Sequence, residues 1–78
     1  MTVEGFIEDV YGSLEDAPAG GLFPETDFKG LDCWDSLAVL AVSNCIEMEY
    51  GVIVRKKDYG ECRTLRDLYD LVCSRKGG

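Results

Sequence analysis

The chain has 78 residues, of which 46% are hydrophobic and 29% are charged, a composition typical of a globular protein. This length suffices for a single domain, residues 1–78, with one modest core, and leaves little volume for a deep substrate cavity. The formal net charge is −7 without any histidine, which should repel nucleic acid and anionic membrane surfaces and attract basic proteins. No apolar run is long enough for a membrane span, and residues 1–4 lack the features of a signal peptide. We therefore expect a monomer in the cytoplasm.

The first predicted element is an amphipathic helix from Val3 to about Leu14, with Thr2 as its N-cap. Its apolar residues recur at the i, i+3, i+4 and i+7 spacing of a core-facing helix: Val3, Phe6, Ile7, Val10, Tyr11 and Leu14. Residues 15–29 contain both prolines and a Gly-Gly pair, which predict a long loop. Four apolar residues are expected to hold this loop against the core: Leu22, Phe23, Phe28 and Leu31.

The second predicted helix follows the sequence Asp35-Ser36-Leu37. Asp35 can cap the free amides of the first turn, which places Ser36 at the surface, near the positive end of the helix dipole. No proline or glycine occurs from Leu37 to Tyr50, and Gly51 is a typical helix stop. The sequence therefore places a hydroxyl at the beginning of a long apolar helix.

This second helix carries two apolar stripes when its residues are placed at about 100° each. The inner stripe, expected to face the core, contains Val39, Val42, Ile46 and Tyr50, with Cys45 at its edge. The outer stripe contains Leu37, Leu40, Ala41 and Met48, with Asn44 among them and Glu47 beside it. A small domain buries one side of a helix more readily than both, so we expect the outer stripe to be an exposed interaction surface. The alternative is that both stripes belong to the core.

A short connector is predicted after the second helix. Its residues Val52-Ile53-Val54 are expected to be extended, with Val52 and Val54 buried, because a lone strand would have no partner. The basic residues 55–57 are expected on the solvated surface. Residues 58–62 are predicted to form one short helical turn.

The last predicted helix begins at a capping-box pattern formed by Thr64 and Asp67, and it runs to about Ser74. Its apolar face is formed by Leu65, Leu68, Tyr69, Val72 and Cys73. Gly77-Gly78 should fray. The predicted fold is thus all-α: a small bundle of three main helices plus a short helical turn, with a long first loop.

The sequence offers little catalytic or metal-binding chemistry. Without histidine a Ser-His-Asp triad is impossible, and the Ser-x-x-Lys spacing of a lysine-activated serine does not occur. The four cysteines form no Cys-x-x-Cys pair, and Cys45 and Cys73 fit helical core positions as small apolar residues. The acidic residues 27, 32 and 35 lack the alternate spacing of a calcium loop. Ser36 is thus better suited to modification by another enzyme than to catalysis of its own.

Taken together, these features resemble the acyl carrier proteins over nearly the whole chain. The resemblance rests on the amphipathic first helix, the long loop, Asp35-Ser36-Leu37, the long second helix ending near Tyr50-Gly51, the Val52-Ile53-Val54 connector and a last helix opened by Thr64-Leu65. Asp-Ser-Leu alone is a weak motif, but it is a strong one at this position in an acidic chain of this length. The resemblance implies an acyl-carrier-like bundle as the fold.

The resemblance also implies a specific chemistry. Ser36 matches the serine that receives 4′-phosphopantetheine from coenzyme A, and the terminal thiol of that arm carries acyl groups as thioesters. Asp35 matches the acidic residue that helps to place magnesium during the transfer. The implied partners are a phosphopantetheinyl transferase and the acyl-loading and acyl-processing enzymes of fatty-acid or specialised, polyketide-like biosynthesis. The residues implied to contact these partners are Leu37, Leu40, Ala41, Glu47 and Met48.

Some positions depart from the pattern of fatty-acid carriers. Ala38 and Ala41 stand where many members keep acidic residues after the serine, and residues 55–57 are more basic than the usual connector. The Trp34-Asp35-Ser36-Leu37 form resembles a divergent branch of stand-alone bacterial carriers, which favours a dedicated carrier at least as much as the housekeeping one. Trp34 is expected to pack the loop onto the helix.

Three further functions remain open from the sequence. The cargo can be aminoacyl or peptidyl instead of fatty acyl, or the protein can be an adaptor whose outer stripe binds a partner helix while Ser36 stays unmodified. A small enzyme is disfavoured by the missing histidine and the small core. If long acyl chains are sheltered, the expected lining residues are Val39, Ile46, Val54 and Leu68.

Overall fold

Four α-helices follow one another in a computed structural model of the chain, which describes residues 2–76. They are α1 (Val3–Ser13), α2 (Ser36–Tyr50), α3 (Lys56–Gly60) and α4 (Leu65–Arg75), with a 3₁₀ turn at Phe28–Gly30 in the long loop after α1. Residues 2–76 contain no strand, only an isolated bridge between Asp27 and Thr64. The predicted all-α, acyl-carrier-like bundle is confirmed, whereas the expected fraying of Gly77-Gly78 lies outside the described residues.

The helix ends follow the capping chemistry predicted from the sequence. The Thr2 hydroxyl accepts from the Gly5 amide at 3.1 Å at the beginning of α1. At the beginning of α4, the Thr64 hydroxyl accepts from the Asp67 amide at 3.2 Å, and the Asp67 carboxylate accepts from the Thr64 amide at 3.1 Å. Gly51 ends α2 at a φ of 70°, a left-handed conformation that glycine adopts without steric cost.

The short helix α3 begins two residues earlier than predicted. The Asp58 carboxylate accepts from the Arg55 backbone amide at 2.8 Å, which fixes the first turn ahead of Asp58. The prediction for residues 58–62 was therefore wrong in its bounds, and the basic run lies partly within the helix. All three side chains of this run, Arg55, Lys56 and Lys57, are exposed as expected.

The core lies between α1, α2 and α4, and α1 packs against both of the other two helices. Phe6 of α1 is completely buried, with its ring centroid 5.8 Å from that of Tyr50 and 5.7 Å from that of Tyr69. The Tyr50 hydroxyl donates to the Asp9 carboxylate, so α1 and α2 are also joined at the end far from Ser36. Other residues with almost no exposed surface are Val10, Phe28, Val42, Ile46, Leu65, Leu68 and Val72.

The long loop is anchored to the core by Leu22 and Phe28, as predicted, but not by Phe23. A tight turn holds Phe23, whose amide donates to the Thr26 hydroxyl at 2.9 Å while its carbonyl accepts from the Thr26 amide at 3.0 Å. The Phe23 side chain consequently points outward and is 58% exposed, which corrects that prediction. The backbone also anchors the loop, because the Thr26 carbonyl accepts from the Leu65 amide at 3.1 Å.

An ion pair closes the bundle at the C-terminal end of α4. The Arg75 guanidinium donates to both carboxylate oxygens of Asp58 at 2.7 Å and to the Ile53 carbonyl at 3.1 Å. Asp58 is almost completely buried, so this is a bidentate pair with little solvent around the carboxylate. The pair ties α4 to α3 and to the connector before it. None of the helices in residues 2–76 has the length and apolar character needed to cross a membrane.

Candidate functional site

Ser36 is the first residue of α2, and its side chain is exposed. Asp35 ahead of it is extended, with a φ of −140°, and its carboxylate accepts from the Ala38 amide at 2.9 Å. This confirms Asp35 as the N-cap and Ser36 as a surface residue of the first turn. Because the amides of this turn point toward the helix start, the Ser36 hydroxyl lies near a partial positive charge.

The other serines provide a comparison for the availability of the Ser36 hydroxyl. Ser13 donates to the Val10 carbonyl at 2.7 Å, and the Ser43 hydroxyl lies 2.8 Å from that of Tyr59. Ser36 and Ser74 are the exposed serines of the chain. Of these two, only Ser36 follows an acidic cap and begins a helix, so its surroundings differ from those of an ordinary surface serine.

The outer stripe of α2 remains largely exposed. Leu37, Leu40 and Met48 are 71%, 67% and 77% exposed, while Ala41 is half-buried. Glu47 is exposed beside them, and its carbonyl accepts from the Gly51 amide at 2.9 Å. The exposed fractions exclude the alternative in which both stripes belong to the core. The stripe is long, because Leu37 and Met48 are about three helical turns apart.

The buried face of α2 is shifted from the predicted inner stripe. Ala38, Val42 and Ile46 are buried, whereas Val39 and Tyr50 are only half-buried. Ala38, which stands where many fatty-acid carriers keep an acidic residue, is therefore part of the core. An acidic residue at position 38 would place a carboxylate in the core, so its absence there reflects packing and carries no information about partners.

Two depressions of opposite charge flank the first turns of α2. The acidic depression, of about 460 Å³, lies toward the end of α1 and is bordered by Leu37, Leu40 and Ala41 of the outer stripe. Its charged lining residues are Glu15, Asp16, Asp32 and Asp35. The basic groove, of about 720 Å³, lies between α2 and the connector to α3. Leu40 borders both depressions and forms part of the ridge between them.

The basic groove has mostly apolar walls and polar groups along its edge. Its apolar lining residues are Trp34, Val39, Leu40, Ile53 and Val54. Its polar lining residues are Asp35, Ser36, Ser43, Arg55 and Lys56. Ser36 therefore borders a predominantly apolar groove in addition to the exposed stripe.

The predicted lining of an acyl-sheltering cleft is only partly found in this groove. Val39 and Val54 do line it, whereas Ile46 and Leu68 are completely buried in the core and are not among its lining residues. Sequence reasoning missed Ile53, which is 56% exposed. The signal was present, because side chains alternate sides in an extended segment and both neighbours of Ile53 are buried.

Trp34 packs the long loop against α3. Its ring centroid lies 4.8 Å from that of Phe28 and 5.4 Å from that of Tyr59, in edge-to-face geometry. Burial raises the pKa of the Tyr59 phenol, which keeps it protonated beside the Ser43 hydroxyl. The groove wall at Trp34 is thus part of a cluster of three aromatic rings, Phe28, Trp34 and Tyr59.

The four cysteines are free thiols. Burial raises the pKa of both Cys45 and Cys62, so these thiols stay protonated and weakly nucleophilic near neutral pH. The Cys45 thiol donates to the Asp9 carbonyl at 3.5 Å. Among residues 2–76, no group of three or more histidine, cysteine or acidic side chains is arranged to hold a metal ion.

Comparisons of the chain with protein families, with curated proteins and with solved structures found no match.

Proposed function

We propose that this protein is an acyl carrier protein in which Ser36 bears 4′-phosphopantetheine. The main support for this proposal is the surroundings of the Ser36 hydroxyl. Ser36 is exposed at the first residue of α2, directly after the Asp35 cap and directly before the exposed outer stripe. A separate enzyme needs an accessible hydroxyl and an apolar surface beside it, and this end of α2 offers both.

The residues around Ser36 fit an attached arm of this kind. The hydroxyl is open to solvent, and the basic groove beside it has room and apolar walls for a flexible chain. Ser36 Oγ would hold the arm through a phosphodiester, and the arm's terminal thiol, when present, supplies the thioester chemistry. The second carboxylate oxygen of Asp35, beyond the one that caps α2, is available for magnesium during the transfer.

The proposed partners are the phosphopantetheinyl transferase and the enzymes that load and process the acyl group. They would contact the outer stripe, where Leu37, Leu40 and Met48 expose apolar surface along α2. Ala41 and Glu47 would complete that contact. We propose a cytoplasmic role in fatty-acid or specialised, polyketide-like biosynthesis, in which the loading enzyme selects much of the cargo.

An unmodified adaptor is the second candidate, and the same exposed outer stripe favours it. Substitution of Ser36 by alanine separates the two functions. A carrier with Ser36→Ala loses its attachment atom and all activity in its pathway, whereas an adaptor keeps its partner, because Ser36 adds little apolar contact area.

The test is the intact mass of the purified protein after incubation with coenzyme A, magnesium and a broad-specificity phosphopantetheinyl transferase. We expect a gain of one phosphopantetheine group in the wild-type chain and in Ser74→Ala, the matched control at the other exposed serine, and no gain in Ser36→Ala. An unchanged wild-type mass, while a known carrier is modified in the same reaction, would contradict the proposal.

A further inference from the structure

The basic groove beside Ser36 differs in charge from the rest of this acidic protein. The chain has 15 acidic and eight basic residues, and the longest run of basic residues is Arg55 to Lys57. Two of these three, Arg55 and Lys56, line the groove. Both are exposed, so their cationic groups lie at its solvent-facing edge.

The side chains of Arg55 and Lys56 have no ion-pair partner within residues 2–76. The ion pairs of this part of the chain join Arg66 to Asp70 and Arg75 to Asp58. Asp58 is the acidic residue nearest to them in sequence. Its carboxylate accepts hydrogen bonds from the Arg55 backbone amide and, at both oxygens, from the Arg75 guanidinium. The two cations are therefore available to a ligand.

Within residues 2–76, neither cation forms an ion pair with the acidic residue that lines the groove. Asp35 is the acidic residue that lines the groove, and one of its oxygens is held by the Ala38 amide. Glu15, Asp16 and Asp32 line the depression on the opposite side of α2. A ligand in the groove thus meets apolar walls, the Asp35 carboxylate, and two cations that are not paired within residues 2–76.

We propose that this groove binds an apolar chain bearing an anionic group, with the chain against Val39, Ile53 and Val54 and the anion at Arg55 and Lys56. The inference rests on the proposed function, because Ser36 would deliver the tethered ligand. The anion has two sources: a carboxylate in the cargo, or the phosphodiester of the arm. Charge complementarity favours either over a neutral fatty acyl chain, for which two exposed cations contribute nothing.

The experiment uses the unmodified protein and two probes of equal chain length, sodium octanoate and 1-octanol, followed by amide NMR titration at low salt. We expect both probes to shift amides of the groove, with octanoate bound about fivefold more tightly, since two partly solvated charges add about 1 kcal/mol. In the double variant Arg55→Gln/Lys56→Gln this preference should disappear, while octanol binding is retained.

Lys57→Gln is the matched control, because Lys57 is equally exposed and adjacent in sequence but does not line the groove. It should keep the preference for octanoate. Equal affinity for the two probes in the wild-type chain, or an octanoate preference that survives in the double variant, would overturn the proposal. Because the affected side chains are exposed, the melting temperatures of all three proteins should agree, which excludes misfolding as the cause.

The same titration on protein carrying the arm distinguishes the two sources of the anion. If the octanoate preference disappears and the Arg55 Nε–H resonance moves on modification, the phosphodiester occupies the cations. If the preference persists, the site is open for a carboxylate in the cargo. The titration of the unmodified protein needs no transferase, so its failure is independent of a failed mass gain at Ser36.

Discussion

At the scale of single residues, Asp35 is proposed to serve two purposes that can be separated experimentally. Its carboxylate caps α2 through the Ala38 amide, and it is proposed to place magnesium when Ser36 is modified. Asparagine is as good an N-cap as aspartate but carries no charge. Comparison of Asp35→Asn with Asp35→Ala thus separates the effect of Asp35 on stability from its effect on the modification of Ser36.

We expect Asp35→Asn to melt like the wild-type protein but to lower kcat/KM of the phosphopantetheinyl transferase by about tenfold or more, as other losses at metal sites do. Asp35→Ala should show the same loss and also a melting temperature about 5 °C lower, since a missing cap costs about 1 kcal/mol. Asp32→Asn, which removes a charge without a cap, is the control. Full transferase activity in Asp35→Asn would refute the proposed metal role.

At the scale of secondary-structure elements, the Asp58–Arg75 pair joins α3, α4 and the connector. The Arg75 guanidinium lowers the pKa of Asp58 to about 2, from an ordinary value of 3.8. Because the folded-state pKa is the lower one, the stabilisation by Asp58 is complete above about pH 5 and is lost as the pH falls from about 4 to 2.

Arg75→Gln should leave Asp58 buried without its cation and lower the melting temperature at pH 7 by about 10 °C or more. Melting curves between pH 2 and pH 7 should show that the variant also loses much of the acid dependence between pH 4 and pH 2. Arg66→Gln is the control, because its ion pair with Asp70 is exposed and such pairs contribute little. Equal melting temperatures for the two variants would contradict this account of α3 and α4.

The two glycines at Gly51 and Gly12 should respond in opposite ways to substitution by alanine. A Cβ at Gly51 would meet open space, so the cost of Gly51→Ala is the left-handed φ of 70° alone, about 1 kcal/mol of the free energy of unfolding. Gly12 also faces open space but lies inside α1, so Gly12→Ala should stabilise the protein by about 0.5–1 kcal/mol. Urea unfolding measures the change in the free energy of unfolding for both variants. Changes of the same sign would contradict the left-handed conformation of Gly51 or the helical position of Gly12.

Most of the helices could be predicted because their signals are local. Thr2, Asp35 and Thr64 each cap a helix whose apolar residues recur at helical spacing. In each helix, the cap and the apolar residues lie close together in the sequence. The bounds of α3 and the exposure of Phe23 could not be predicted in this way. Both depend on particular hydrogen bonds, to Asp58 and to Thr26, that sequence periodicity does not encode.

At the scale of the whole molecule, the bundle leaves the outer stripe of α2 uncovered. We expect Leu37→Ser and Met48→Ser to melt within about 2 °C of the wild-type protein, because both side chains are already mostly in water. The same changes should raise the KM of the transferase if it docks on the outer stripe. Phe23→Ser, an exposed apolar residue away from α2, should leave both quantities unchanged.

Only the part of the candidate site that lies on α2 and its cap could be predicted from the sequence. Ser36, Asp35 and the exposed outer stripe follow from one helix and its cap. The basic groove depends on how the connector packs beside α2, so Arg55 and Lys56 could be placed in it only from the tertiary structure. Their run was expected only to be solvated, which is correct but incomplete.

Peptide mass spectrometry can identify the atom that receives the arm, which we propose to be Ser36 Oγ. Trypsin cleaves after Lys29 and Arg55, so residues 30–55 form one peptide that contains Ser36 and Ser43. After reaction with coenzyme A, magnesium and the transferase, fragmentation of this peptide should place the phosphopantetheine mass on Ser36. An unmodified peptide in an active reaction, or a modification on Ser43, would contradict the assignment of Ser36 as the attachment site.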